Sequence, residues 1–225
     1  MPAKVAHRSL RRSSTPPFRR LPSTRRVLAH ADARTASAAA LSGSTPTGGC
    51  FYDRAMTCAN AFTEKSIALL TDDYLPKIAA ATLALGDEGL WWRANENSNS
   101  AGNLLLHLRG NVTQWIIGGV GGREYARQRD QEFAARSGAA AHDLLDGLTT
   151  TVSTACEIIA EQTETSLLER RQIQGYEVSV LDAIYHVVEH FSMHTGQVIL
   201  LAKARTGIDL RLWTPQAATA TKPSV

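Results

Sequence analysis

Residues Leu181-Asp-Ala-Ile-Tyr-His-Val-Val-Glu-His-Phe-Ser-Met-His-Thr-Gly-Gln-Val-Ile-Leu-Leu201 carry three of the chain's seven histidines, His186, His190 and His194, at intervals of four. Side chains four apart on a helix lie on one face, roughly 5–6 Å between Cβ atoms. Three in succession drift by only about 80°, so they form a stripe. Val187, Phe191, Val198 and Leu201 run beside it, so the stripe borders a buried face. Imidazole is the commonest side-chain metal ligand, and an i, i+4 pair is a two-point grip for one ion. A site needs a third ligand from elsewhere in the chain.

Working outward, the remaining chain also shows a helical period. Ile67, Leu70, Tyr74, Ile78, Ala81 and Leu85 mark one amphipathic face, with Pro76 predicting a kink near Tyr74–Leu75 and Gly86 and Gly89 its end. Trp91 and Trp92 read as packing residues. A second helix is expected from about Ser100 to Ile117, with Leu104, His107, Leu108, Asn111 and Trp115 on one stripe, ended by Gly118-Gly-Val-Gly-Gly122. That glycine run lacks the Lys-Ser/Thr of a phosphate loop. Residues 123–136 read as a charged connection with a helical turn around Gln131–Ala135. Ser137-Gly138 opens a third helix with the face Leu144, Leu148, Val152, Ala155 and Ile159. Leu167 to Val178 is a link, briefly extended at Gln172–Tyr176; Ser179 and Asp182 resemble a capping box for the fourth helix, which Gly207 closes. Four long amphipathic segments predict an all-α four-helix bundle, and the long links leave room for crossover connections.

The net charge of +3 hides an uneven distribution. Residues 1–49 hold nine basic residues and one acid, 9 − 1 = +8; the remainder holds 15 basic and 20 acidic, 15 − 20 = −5. The body is mildly acidic and has no helix-turn-helix signature, which argues against nucleic-acid binding. The Arg-, Ser- and Pro-rich start cannot bury enough surface to order itself. The expected division is a disordered tail over 1–52, the bundle over 53–213 and a second disordered tail over 214–225. Residues 1–49 resemble a transit peptide in composition, but read more readily as a solvated extension or a start site placed too far upstream. Three cysteines without a CxxC pair fit a reducing compartment, and no run is apolar enough to span a membrane, so the expected location is cytoplasmic.

Bundle cores build metal sites from facing helices. His107 on the second helix and the histidines of the fourth would give three nitrogen donors with positions left for water or substrate, the arrangement of a catalytic zinc site. Such an ion lowers the pKa of a water or thiol. Asn111 and Gln197 stand where they could support the ligands from behind. Spacing alone leaves open a hydrogen-bonded stripe without metal, and does not choose among metals.

Two motifs, Asn103-Leu-Leu-Leu-His107-Leu-x-Gly-Asn111 and His186-Val-Val-Glu-His190-x-x-x-His194-x-Gly-Gln197, resemble the DinB superfamily, in particular an uncharacterised bacterial branch of it. Leu90-Trp-Trp-Arg93, Gln114-Trp-Ile, the glycine run and Gly207-x-Asp-Leu are similar to the same branch, over about residues 60–213. The resemblance implies up-down-down-up wiring and a divalent metal, zinc or nickel, on His107, His190 and His194. His186 matches a position outside that ligand set and joins Asn111 and Gln197 as an expected supporting residue. Relatives use the ion to activate a thiol cofactor, which implies a thiol-transferase-like or hydrolase-like enzyme with a small-molecule substrate. The alternative is a non-enzymatic metal-stabilised binding or stress-response protein. A homodimer is expected in either case.

Overall fold

The computed structural model describes residues 57–212. The expectations for the tails over 1–52 and 214–225 lie outside the described residues.

The first helical run is α1 (Cys58–Ala68), a π-helical turn at Leu69–Tyr74, and α2 (Leu75–Leu90). Thr57 caps its start by accepting from Asn60 N–H. Pro76 has no N–H, and its ring crowds the carbonyl four residues back. The helix widens just before it, with Leu75 N–H bonded to Leu70 C=O. Gly86 then departs from helical geometry at φ 60°, a conformation glycine adopts without a Cβ penalty.

Next come α3 (Ala101–Val112), continued by a second π-helical segment at Thr113–Val120, the short α4 (Arg129–Ala134), α5 (Ala141–Ala160) and α6 (Glu164–Leu168). Strands β1 (Arg170–Ile173) and β2 (Tyr176–Ser179) precede α7 (Val180–Thr206). α7 begins at the Ser179–Asp182 capping box and ends at Gly207, in the left-handed conformation at φ 69°. The predicted faces are the buried ones: Ile78, Ala81 and Leu85 on α2, Leu104 and Leu108 on α3, Leu148, Val152 and Ile159 on α5, and Val187, Phe191 and Val198 on α7. A side chain such as Phe191, with no exposed surface, contributes roughly 1.5–3 kcal/mol by its burial.

α2 packs on α7 and α5, and α3 packs on the same two helices. Cys58 and Phe62 at one end of the first run share a cavity wall with Leu181, while Gly89 at the other end faces Arg205. Asn111 meets His186, whereas Leu104, earlier on α3, lines a cavity with Leu201. Arg109 faces Gly147 and Gly121 faces Ile158.

Two expectations need correction. The fold is predominantly helical but not all-α, because the link after α6 forms an antiparallel hairpin with Ile173 opposite Tyr176. Its two-residue turn has positive φ at both positions, Gln174 (54°) and Gly175 (83°), as the twist of a tight hairpin requires. Gln174 stands where Asn or Asp is usual, and its side chain is held by Trp115, whose Nε1–H donates to Gln174 Oε1 at 3.1 Å. Second, the helix does not stop before the glycine run but within it: the π-helical segment takes in Gly118 and Gly119 and ends at Val120, and these two glycines are contact surfaces. A Cβ on Gly118 would collide with the Tyr125 ring, and one on Gly119 with Ile173. The third helix also starts later than expected, at Ala141, whose N–H is accepted by Asp87 of α2 at 2.7 Å.

Candidate metal centre

α3 and α7 bring His107, His190 and His194 together. His190 Nε2 lies 2.9 Å from His107 Nε2 and 3.0 Å from His194 Nε2. Three imidazoles bound tetrahedrally at the usual zinc–nitrogen length would hold their nitrogens roughly 3.3 Å apart. The described residues thus place three donors where one ion could be held.

The other ring nitrogens set the tautomers. His107 Nδ1 lies 3.0 Å from Glu132 Oε2. A carboxylate has no proton to give, so in the neutral ring a hydrogen on Nδ1 meets Glu132 and leaves His107 Nε2 with a bare lone pair, with Arg127 Nη2 3.2 Å from the same Nδ1. Gln197 Oε1 accepts from His194 Nδ1 at 2.6 Å, leaving His194 Nε2 bare as well. A hydrogen on His190 Nε2 can satisfy one of these lone pairs but not both. A cation satisfies all three, and neutral imidazoles are the form that binds it. Burial, with the neighbouring imidazoles His194 and His107, pushes His190 down to about 3. Burial also lowers His194, although the bond to Gln197 opposes it.

Glu132 is the residue that sequence reasoning missed. It sits on α4, in a stretch whose charge pattern reads as a solvated connection, yet it is 9% exposed. Arg127 grips it through Nε to Oε1 at 2.8 Å and Nη2 to Oε2 at 2.9 Å, and donates from Nη1 to Gln114 at 2.7 Å. Burial works against the charge on Glu132, but the hydrogen bonds from Arg127 and His107 outweigh it and hold the carboxyl below its usual range. One signal was present in the sequence. Gly110, three residues after His107, is a glycine inside a helix, and a Cβ there would collide with Glu132 Oε1. Asn103 secures the same segment, with Nδ2 donating to the carbonyls of Glu132 at 2.7 Å and Ala135 at 2.9 Å.

Of the three expected supporting residues, Gln197 touches a histidine of the cluster. Asn111 does not; its Nδ2 donates to His186 Nε2 at 3.2 Å. His186 adds no nitrogen to the cluster, but its ring packs against those of Trp115 and His190, centroids 4.0 Å and 5.3 Å away. Burial lowers its pKa, with Glu189 opposing. Beside the cluster is a cavity of about 490 Å³, lined by His107, His190, His186, Trp115 and, from the hairpin, Tyr176 and Val178.

These features define a predominantly helical protein with a three-histidine cluster suited to a metal ion. The chain belongs to the family described as "Protein of unknown function (DUF1572)", whose model matches residues 58–214 and which lies within the DinB-like clan. A crystal structure of a DinB-like protein from Bacillus cereus ATCC 10987 is similar in fold, with a TM-score of 0.50 at 16% identity, over 62% of this chain and 89% of that one. No curated protein matches.

Proposed function

We propose that this chain is a divalent-metal-dependent enzyme of the DinB type, with His107, His190 and His194 holding zinc or nickel and a thiol-transferase-like or hydrolase-like activity. The convergence of three Nε2 atoms, two of them made bare by partners on the far side of the ring, carries this reading. When bound, the ion would supply Lewis acidity, lowering the pKa of a water or thiol beside it. Glu132 and Gln197 orient two of the rings, and Arg127 keeps Glu132 ionised. Trp115, Tyr176 and the neutral His186 shape the cavity in which a small-molecule substrate or thiol cofactor would sit.

The proposal includes four-helix wiring in the order up, down, down, up. It is supported by α1 and α2 running alongside α7 in the same direction, and by α3 and α5 opposing them. It also places the protein in the cytoplasm, without nucleic-acid or membrane partners. No helix among the described residues is long and apolar enough to cross a membrane.

Elemental analysis of protein purified without a histidine tag tests the site, with roughly one ion per chain expected. Unchanged metal content in His190→Ala would overturn it. Turnover of thiol and ester substrates tests the activity; an ion that raises thermal stability with no turnover would mark the non-enzymatic alternative.

A further inference from the structure

α7 carries a second stripe, one residue out of step with the histidines. Glu189, Met193, Gly196, Leu200 and Lys203 are all exposed and follow one another at +4, +3, +4 and +3. That is the 3.5-residue period of a helix–helix seam. Its apolar members are large and open to solvent: Met193 is 52% exposed and Leu200 66%, with Tyr185 at 59% a turn before Glu189.

Gly196 stands at the centre. Glycine inside a helix weakens it, and here nothing among the described residues requires one, since a Cβ would meet none of their atoms within 4 Å. Gly110 and Gly119, by contrast, each admit a neighbouring side chain. A glycine on an exposed helix face between two large apolar residues allows another backbone to approach closely.

The charges say which partner fits. Glu189 lies seven residues before Gly196 and Lys203 seven after it (196 − 189 = 203 − 196 = 7), each about 10.5 Å along the axis. If two copies of α7 cross antiparallel at Gly196, Glu189 of each meets Lys203 of the other. Met193 of each then falls beside Leu200 of the other. A two-fold interface must be self-complementary in this way.

We infer that this stripe is a homodimer interface, in which α7 of one protein packs antiparallel on α7 of a second copy about a two-fold axis at Gly196. The inference does not depend on metal binding. Sedimentation velocity and light scattering on the full chain test it. The wild type is expected near twice the 24.4 kDa of one chain. Glu189→Lys and Lys203→Glu each place like charges together twice, and should raise the dimer dissociation constant by ~10-fold or more. The double variant Glu189→Lys/Lys203→Glu restores opposite charges and should restore the dimer. Gly196→Leu, which suits a helix better than glycine, should remain helical by circular dichroism yet become monomeric. A monomeric wild type would overturn the inference. So would a dimer unaffected by Gly196→Leu and both single charge reversals, or a double variant no better than either single one.

Discussion

Glu132 Oε2 accepts the Nδ1 hydrogen of His107 at 3.0 Å, joining the short α4 to the centre of α3. A carboxylate behind a ligating histidine fixes its tautomer and raises its basicity, and losing it typically weakens metal binding about 10–100-fold. Glu132→Gln should therefore lower zinc affinity by about that factor, measured by competition with a chromophoric chelator. It also leaves the buried Arg127 guanidinium without a counter-charge, so the thermal midpoint of the metal-free protein should fall. Wild-type affinity in this variant would show that His107 needs no such partner.

His190 stands between two bare nitrogens, so its removal should affect the loaded and empty proteins differently. At zinc concentrations about 100 times the dissociation constant, wild type should gain about 2.7 kcal/mol. His190→Ala should lose that gain while its metal-free stability changes little. A zinc-induced shift that persists in the variant would place the ion elsewhere.

The pH dependence follows from His190, held at about 3 in the fold. Its ordinary value is 6.5. Below 6.5 the unfolded chain binds a proton that the folded chain refuses, so metal-free stability should fall as pH drops from 6.5 towards 3 and level off below that. His194 and His186 are shifted in the same direction. Glu132, lowered from 4.5, keeps its contribution above that value and loses it only in stronger acid. The interval between 6.5 and 4.5 therefore isolates the histidines. Urea unfolding across it should show a declining midpoint in wild type and a shallower decline in His190→Gln. Equal slopes would contradict the assignment.

Gly119 admits Ile173, the buried residue at the end of β1. Gly119→Ala should destabilise the protein by about 1–3 kcal/mol, as overpacking does, and speed proteolysis within residues 170–179. Calorimetry and limited digestion measure the two effects. A variant as stable and resistant as wild type would mean that the hairpin can dock without this fit.

The parts of the fold set by local pattern were legible in the sequence. The apolar face of α5, Leu144 to Ile159, is buried as its spacing predicts, and Ser179 and Asp182 cap α7 as their types predict. His107 was recognisable because it interrupts an apolar stripe facing the histidine stripe of α7, and the family resemblance singled out His190 and His194 as its partners. Glu132 was not legible, because its role depends on Arg127 and Asn103 folding the 123–136 segment back onto α3, and no periodicity records such a contact. The link reads as briefly extended at Gln172–Tyr176, but its folding into a paired hairpin escaped for a related reason. Its strands are four residues long, mostly polar outside Ile173 and Val178, and closed by Gln-Gly in place of a commoner turn pair.

Asn103 closes the N-terminus of α3, accepting from the Ser100 backbone at 3.1 Å and hydroxyl at 2.6 Å, while its amide nitrogen holds the carbonyl of Glu132. One side chain of four heavy atoms therefore begins the helix that carries His107 and anchors the segment that orients it. Replacing it would damage both, so tolerance at position 103 is set by the stricter of two demands. A survey of substitutions there would record fold and chemistry as a single phenotype.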